Sequence, residues 1–183
     1  MLATIIERMA QEQMGSKTNS VLACVAAARW KSALFTSFTL SLTYFESLVL
    51  PRLTRSGCHN ISVLADLAGY RDSLSEQTAS SVGRDYELVP VHVPGGIFHP
   101  KLVHLWSEHG DDDLLLVGSG NLTYSGHGGN IEVLEVLTAQ KHARAIGQAA
   151  DFFEGLATHP KIAIAGSTSL VRTKNRLRGG ASR

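Results

Sequence analysis

The chain has 183 residues, of which 44% are hydrophobic and 18% are charged, with a formal net charge of +1. This length and composition are typical of one globular domain, and the near-neutral charge excludes a uniformly basic nucleic-acid coat but not a local basic groove. Residues 21–28 form the longest apolar run, which is far shorter than the ~20 residues that a membrane span needs. Glu7 and Arg8 interrupt the apolar pattern of a signal peptide, so the sequence predicts a cytoplasmic protein without membrane attachment.

Apolar periodicity predicts helices and strands that alternate along the chain. Helical spacing opens the sequence, at Leu2, Ile5, Ile6 and Met9. Further helices are predicted over residues 43–53, 72–82 and 140–156. Runs rich in aromatic and β-branched residues predict strands over residues 33–40, 60–66, 86–93 and 130–137. Pro51 is expected to bend or end the helix that contains it.

This alternation indicates an α/β sandwich with a mixed, largely buried sheet. The sandwich is predicted to be a single domain over residues 1–171. Residues 172–183, RTKNRLRGGASR, are basic and contain glycine. We expect them to form a solvated tail, with nucleic-acid contact as the alternative.

Two apolar runs in the middle of the chain carry polar residues that folding alone does not require. In the first run, FHPKL, His99 and Lys101 alternate with apolar neighbours, so both side chains lie on one face if the run is a strand. Pro100 suits the start of a strand or an edge position, because it has no N–H for a sheet ladder. After the polar residues 107–113, LLLV at 114–117 is predicted to return as the partner strand.

The second run ends in Gly-Ser-Gly-Asn, at residues 118–121. Glycines allow a backbone to approach a ligand closely, and the Ser119 hydroxyl and Asn121 amide are short hydrogen-bond donors. Lys101 adds the positive charge that a phosphate requires. Each feature alone has an ordinary explanation, since a strand histidine is usually structural and this tetrapeptide usually forms a turn. Their joint occurrence on adjacent strands favours a site that binds a phosphodiester while His99 attacks phosphorus.

Other kinds of site fit these residues less well. His99, His104 and His109 suggest a metal site that could include the aspartates at 111–113. On one continuous strand, however, His99 and His104 would point to opposite faces. Ser119 lacks the G-x-S-x-G elbow of an acyl-transfer nucleophile. Neither cysteine belongs to a C-x-x-C pair, which argues against a zinc knuckle or a disulfide framework.

The order of these motifs has a parallel in a known family. H-P-K followed by G-S-G-N-L-T resembles the H-x-K and G-S-x-N motif of the phospholipase D superfamily. The N-x-E motif that follows, at residues 130–132, resembles the motif found in the nuclease-like branch of that superfamily. The likeness covers roughly residues 30–140. The resemblance implies a phospholipase D-like α/β/α sandwich, with a mixed central β-sheet flanked by helices.

The resemblance also implies a role for each polar residue of the motif. His99 would be the nucleophile or the acid, and Lys101, Ser119 and Asn121 would be phosphate ligands. Glu132 stands where the family often has a carboxylate that orients a histidine. In such enzymes one histidine attacks phosphorus and forms a phosphohistidine, while a second protonates the leaving oxygen and then activates water. Neither a metal nor another cofactor is needed.

Two features depart from the family pattern. Trp106 stands where many members carry an aspartate, and no role is assigned to Asp111–Asp113. A complete site needs two motifs, whereas this chain has one. A second H-P-K begins at His159, but only the four residues IAIA separate Lys161 from Gly166. Because these are too few for a strand, a hairpin and a return strand, we interpret them as a helix end followed by a strand, and we predict that an identical chain supplies the missing half.

The sequence therefore predicts a metal-independent phosphodiesterase, specifically a DNA endonuclease that acts through a phosphohistidine at a site shared by two chains. Its setting would be restriction or antiphage defence. One alternative is a lipid phosphodiesterase, against which no amphipathic or strongly apolar surface segment is found. Another is a nucleic-acid-binding or regulatory subunit, with a separate motor or recognition protein. GHGGN, at 126–130, is interpreted as a flexible loop on the substrate side.

Overall fold

The computed structural model describes residues 20–108, 112–164 and 168–181. Within these ranges the strands form one seven-stranded sheet in the order β6-β5-β4-β1-β2-β3-β7. The strands are β1 (Ser32–Ser37), β2 (Asn60–Asp66), β3 (Glu87–His92), β4 (Leu102–Trp106), β5 (Leu114–Gly118), β6 (Leu134–Thr138) and β7 (Ala163–Ile164). The helices are α1 (Val21–Ala27), α2 (Leu42–Tyr44), α3 (Leu50–Arg55), α4 (Leu67–Ser73), α5 (Ala139–Thr158) and α6 (Thr168–Ala181). None of these helices is long and apolar enough to cross a membrane.

The sheet is mixed. β1, β2 and β3 are parallel, whereas β4, β5 and β6 follow as an antiparallel meander beside β1, and β7 pairs antiparallel with β3. Parallel strands cannot be joined by a tight hairpin, so the two connections between them contain α2, α3 and α4. This architecture confirms the predicted α/β class with a mixed sheet and flanking helices.

Helices cover both faces of the sheet, which is why the central strands are apolar on both sides. Every residue of β1 is buried, and neighbouring residues face opposite cores: Phe35 packs in the core with α1, α2 and α3, and Leu34 in the core with α5 and α6. The two alternating sets follow from the two-residue period of a strand. Leu64 and Val63 divide in the same way on β2.

The helical connection after β1 does not break at Pro51. A π-helical segment, Phe45–Val49, joins α2 to α3, and Leu50 N donates to Phe45 O. Pro51 then lies in the first turn of α3, and the helix continues to Arg55. A proline is tolerated at this position because an N–H there has no α-helical partner to lose. Contrary to the prediction, the helix therefore neither bends nor ends at Pro51. The proline is instead accommodated after the wider, π-helical segment that precedes it.

Two predicted elements are wrong in position. The helix expected over 72–82 lies earlier, as α4, because Asp66 ends β2 and its Oδ1 accepts a hydrogen bond of 2.9 Å from Ala68 N as a helix N-cap. Gly69 lets this helix approach the segment that follows β1, since a Cβ there would lie 2.1 Å from Phe38 O. The strand expected over 130–137 is confined to β6, because a π-helical turn, Ser125–Gly129, occupies the chain just before it.

The end of the chain also differs from its prediction. Most of the expected solvated tail belongs to α6, whose Leu170 and Leu177 are buried in the core that α5 shares. These leucines are seven residues apart and so face the same side of a helix. The basic residues lie on the other sides, where Arg178 binds Asp151 at 2.9 Å. The helix expected at the start of the chain lies outside the described residues.

One buried polar cluster links α6 to the hairpin of β4 and β5. Asp113 accepts hydrogen bonds from Ser107 N at 2.8 Å and from Arg176 Nε at 2.6 Å. His104 lies beside it, fully buried, with its Nδ1 accepting a hydrogen bond from Trp106 Nε1 and its Nε2 3.9 Å from Asp113. Burial, together with the charge of Arg176, lowers the pKa of His104 to about 3.

This histidine should make stability depend on pH. The pKa of His104 is about 3 in the folded chain and 6.5 when unperturbed, so between these values the unfolded chain binds more protons. The free energy of unfolding should therefore fall as the pH drops from 6.5 towards 3. Chemical denaturation at a series of pH values should show a shallower fall in His104→Leu than in the wild type. An equal slope in His104→Leu and in the wild type would contradict this assignment.

Candidate active site

The segment that carries His99 is extended but is not a strand. β4 begins only at Leu102, and the ladder with β5 starts where Gly118 N donates to Lys101 O at 3.0 Å. Pro100 has no N–H to extend that ladder towards His99. The segment is fixed instead by Phe98, which is buried and whose N donates to Asp66 Oδ2 at 2.8 Å. Buried and exposed side chains therefore alternate as predicted, with Phe98 buried and His99 exposed, although the segment is not a strand.

His99 and Lys101 are in direct contact. Lys101 Nζ lies 2.9 Å from Nδ1 and 3.2 Å from Nε2 of His99, and 3.0 Å from its carbonyl oxygen. The imidazole also packs on Phe38, with 4.9 Å between the ring centroids. Partial burial lowers the pKa of Lys101, although the carboxylate of Glu132 opposes this shift. The pair therefore places an exposed imidazole beside a cation, next to the end of β1.

Ser119 and Glu132 form a second polar pair. Ser119 Oγ donates to Glu132 Oε2 and accepts a hydrogen bond of 2.9 Å from Val133 N. Asn130 Nδ2 donates to Glu132 Oε1 at 3.3 Å. The hydrogen bonds from Ser119 and Asn130 lower the pKa of Glu132, and Lys101 adds to this effect. Glu132 is expected to orient a histidine, but its hydrogen bonds within the described ranges go to Ser119 and Asn130.

Asn121 is fixed by its oxygen. At the end of β1, its Oδ1 accepts a hydrogen bond of 3.4 Å from Thr39 N and lies 3.4 Å from Ser37 Oγ, whose one proton is donated to Thr39 O at 2.5 Å. Ser37 Oγ in turn accepts from Leu122 N at 2.9 Å, which fixes the backbone of the same loop. With the oxygen held in this way, the amide NH₂ is the end of Asn121 that can donate to a ligand. This orientation suits a phosphate ligand.

The glycines of this loop pack against backbone. A Cβ on Gly120 would lie 2.2 Å from Gly126 O, and a Cβ on Gly126 would lie 2.2 Å from Asn121 O. Real Cβ atoms do not approach other atoms so closely, so both positions require glycine. The sequence predicts that the glycines of G-S-G-N let a ligand approach the backbone. In the structure Gly120, together with Gly126, allows the loop after β5 to lie directly on the π-helical turn.

His127 belongs to that turn and is a residue that the sequence analysis did not assign. Its Nδ1 lies 2.9 Å from Tyr44 Oη, and the two rings are nearly perpendicular. Burial lowers the pKa of His127 to about 4, although Glu132 opposes the shift. A cavity of about 180 Å³ opens beside it, lined also by Lys101 and Glu132. The only available signal was a histidine shortly after G-S-G-N-L-T.

The remaining candidates lie away from these residues. Asp113 binds Ser107 and Arg176, and Asp111 lies outside the described residues. The second H-P-K is confirmed as a helix end followed by a strand, because α5 ends at Thr158 and β7 follows. Among the described residues, no group of three or more histidine, cysteine, aspartate or glutamate side chains could hold a metal ion.

Comparisons with known proteins reveal similarity in structure only. No family profile matches the chain, and no curated protein matches its sequence. Yeast tyrosyl-DNA phosphodiesterase matches with a TM-score of 0.50 and 13% identity over 81% of this chain, which is 35% of the yeast chain. Nuc from Salmonella typhimurium, described as a phospholipase D family member, matches with a TM-score of 0.43 and 16% identity, over 64% of this chain and 72% of the Nuc chain. NucT from Helicobacter pylori matches with a TM-score of 0.44 and 12% identity, over 88% of this chain and 84% of the NucT chain. At these identities the likeness concerns the fold.

Proposed function

We propose that this chain is a phosphodiesterase, and specifically a metal-independent DNA endonuclease in which His99 attacks phosphorus. The observation that carries the proposal is the contact of His99 with Lys101 at the end of the sheet where the NH₂ of Asn121 is presented. Ser119 and Glu132 lie in the same loop region, next to Lys101. A nucleophile, a cation and neutral donors are the groups that transfer at a phosphodiester requires.

The proposed reaction has two steps. A nitrogen of His99 forms a bond to phosphorus while the bond to the leaving oxygen breaks, and Lys101 and Asn121 stabilise the charge on the remaining oxygens. The leaving oxygen takes a proton from a second histidine. That histidine, now neutral, removes a proton from water, whose oxygen displaces His99 from phosphorus. His99 is thereby regenerated.

The second histidine has to be protonated before the first step. His127 does not meet this requirement, because burial lowers its pKa to about 4 and Tyr44 holds its Nδ1. We therefore propose that His99 of a second identical chain is the acid, in a homodimer. Exposed apolar side chains flank the pair of Ser119 and Glu132, with Ile131 fully exposed and Val133 74% exposed. Apolar surface of this kind suits contact with another chain.

The test of the proposed function is cleavage in the presence of a chelator. Plasmid and single-stranded DNA should be cleaved in excess EDTA, because Lys101 and Asn121 stabilise the phosphate charge in place of a divalent ion. His99→Ala protein prepared in parallel is the control for contaminating nucleases. Loss of activity in EDTA that magnesium restores would contradict the mechanism. Release of choline from phosphatidylcholine vesicles, with no DNA cleavage, would favour a lipid phosphodiesterase instead.

The shared site predicts the behaviour of mixed dimers. If one composite centre uses His99 from both chains, co-refolding equal amounts of wild-type and His99→Ala chains should leave roughly a quarter of the dimers active. Independent sites would leave about half of the activity. Cleavage rate against the mixing ratio distinguishes the two curves. A monomer by light scattering that stays active at high dilution would contradict the dimer.

The wider setting of this activity is part of the proposal. We place the enzyme in the cytoplasm, in restriction or antiphage defence, where a separate motor or recognition protein would select the DNA. Co-purification of the tagged chain, followed by mass spectrometry, tests for such a partner. A chain that recovers no partner and cleaves DNA alone would remove the regulatory-subunit alternative.

A further inference from the structure

The cavity beside Lys101 has two kinds of wall. Its inner wall comes from the core that α1 covers, with Phe35, Val103 and Leu116 from the sheet. Its outer wall is polar and includes His127 and Glu132. The cavity thus has an apolar interior and a polar margin, directly next to the cation that is proposed to bind phosphate.

The size of the cavity limits what it can accept. Its volume is about 180 Å³, and an apolar protein cavity of roughly 150 Å³ accommodates a benzene molecule. One aromatic ring system therefore fits. A long acyl chain does not, and a sugar would place some of its hydroxyl groups against the apolar side chains of Phe35, Val103 and Leu116.

The polar margin offers both a donor and an acceptor. Tyr44 Oη can donate to His127 Nδ1, which leaves Nε2 with the proton of the neutral ring. Nε2 has no hydrogen-bond partner in the part of the chain that the structure describes, so it can donate to a ligand in the cavity. Glu132 carries negative charge and can accept from an amino group. A nucleobase has apolar faces and an edge of donors and acceptors, which matches these walls.

We propose that this cavity binds the base of the nucleotide next to the scissile phosphate, with His127 and Glu132 contacting the edge of the base. The inference rests on the proposed function, because it places the phosphate at Lys101. A base enters such a pocket only after leaving the stack, which costs least in single-stranded DNA. The enzyme should therefore prefer single-stranded or distorted DNA to an intact duplex.

The glycines of the π-helical turn provide a variant that adds bulk at the margin of the cavity. Gly128 lines the cavity, and a Cβ on Gly128 would meet no atom within 4 Å. A leucine there can therefore be introduced without a backbone clash at Cβ, next to the space that the base is proposed to occupy. Gly155 is the matched control, because a Cβ there also meets nothing within 4 Å and the residue is exposed on α5. Melting temperatures of Gly128→Leu and Gly155→Leu establish that both variants are folded.

The experiment compares 2′-deoxyribose 5-phosphate with the four deoxynucleoside 5′-monophosphates by NMR titration. The preferred nucleotide should bind wild type and Gly155→Leu about tenfold more tightly than the sugar phosphate does. Gly128→Leu should lose this difference and still bind the sugar phosphate. His127→Phe, a second variant, keeps a ring against Tyr44 and removes the donor. It should bind the preferred nucleotide about threefold more weakly than wild type.

The outcomes separate the two proposals. If the sugar phosphate binds, Lys101→Ala weakens that binding and the base adds nothing, the base pocket is wrong and the phosphate site stands. A base-dependent gain that Gly128→Leu retains also overturns the pocket, because the base must then bind elsewhere. If neither ligand binds the folded wild type, the phosphate site at Lys101 fails, and the base pocket fails with it.

Discussion

His99→Ala should reduce the rate of phosphodiester cleavage by at least about four orders of magnitude, because it removes the atom that bonds to phosphorus. The loss should appear in kcat, since Lys101 and Asn121 remain to bind the phosphate. The fold should be little affected, because His99 is exposed and, among the described residues, the only hydrogen-bond partner of its ring is Lys101. Cleavage of labelled oligonucleotide, with a melting curve for each protein, measures both quantities.

His159→Ala is the matched control for this experiment. It alters the other H-P-K of the chain, at the end of α5, where His159 Nδ1 accepts a hydrogen bond of 3.2 Å from Lys161 N. The variant should cleave at the wild-type rate. Equal loss in His159→Ala and His99→Ala would show that the second tripeptide takes part in the reaction, and an active His99→Ala would exclude the phosphohistidine.

Gly126→Ala should damage both stability and activity. The new Cβ would lie 2.2 Å from Asn121 O and 2.7 Å from Asn121 N, so two backbone segments have to separate. A clash of this kind costs about 3 kcal/mol or more. For a domain of this size, that corresponds to a fall in melting temperature of roughly 6–12 °C. Displacement of Asn121 by about 1 Å should also reduce cleavage about a hundredfold.

Gly129→Ala is the control for the glycine experiment. It lies three residues away in the same π-helical turn, and its Cβ would come no closer than 3.6 Å to another atom. Calorimetry should place its melting temperature close to that of the wild type, with cleavage little changed. A Gly126→Ala protein that is as stable and as active as Gly129→Ala would mean that the turn does not fix Asn121.

The apolar runs predicted most of the sheet. The strand over 60–66 coincides with β2, and the runs over 33–40, 86–93 and 114–117 correspond to β1, β3 and β5. Buried strands can be recognised in a sequence because both of their faces are apolar, which gives a continuous run of apolar residues. The contact of His99 with Lys101 also follows from spacing, since alternate residues of an extended chain share a side.

Other features depend on contacts between distant residues and leave no local signal. The pairing of Glu132 with Ser119 arises because β6 returns beside β5, which a pattern of single residues does not encode. The same holds for position 126, which requires glycine because the backbone of Asn121 packs directly against it. The conformation of the segment after residue 171 was mispredicted because its five basic residues outnumber its one buried leucine, Leu177. Tertiary packing decided its conformation over composition.

The ion pair between Arg176 and Asp113 joins segments that are synthesised at different times, so it bears on the order in which parts of the chain fold. The hairpin of β4 and β5 carries Lys101 and Gly118 side by side at its open end, and it leaves the ribosome well before α6. Until Leu170 and Leu177 arrive, one face of that hairpin lacks part of its apolar cover, and Asp113 lacks the guanidinium that binds it. In a nascent chain the residues of the motif are therefore present before they can take up their folded arrangement. The proposed site can therefore take up its folded geometry only after α6 has been synthesised.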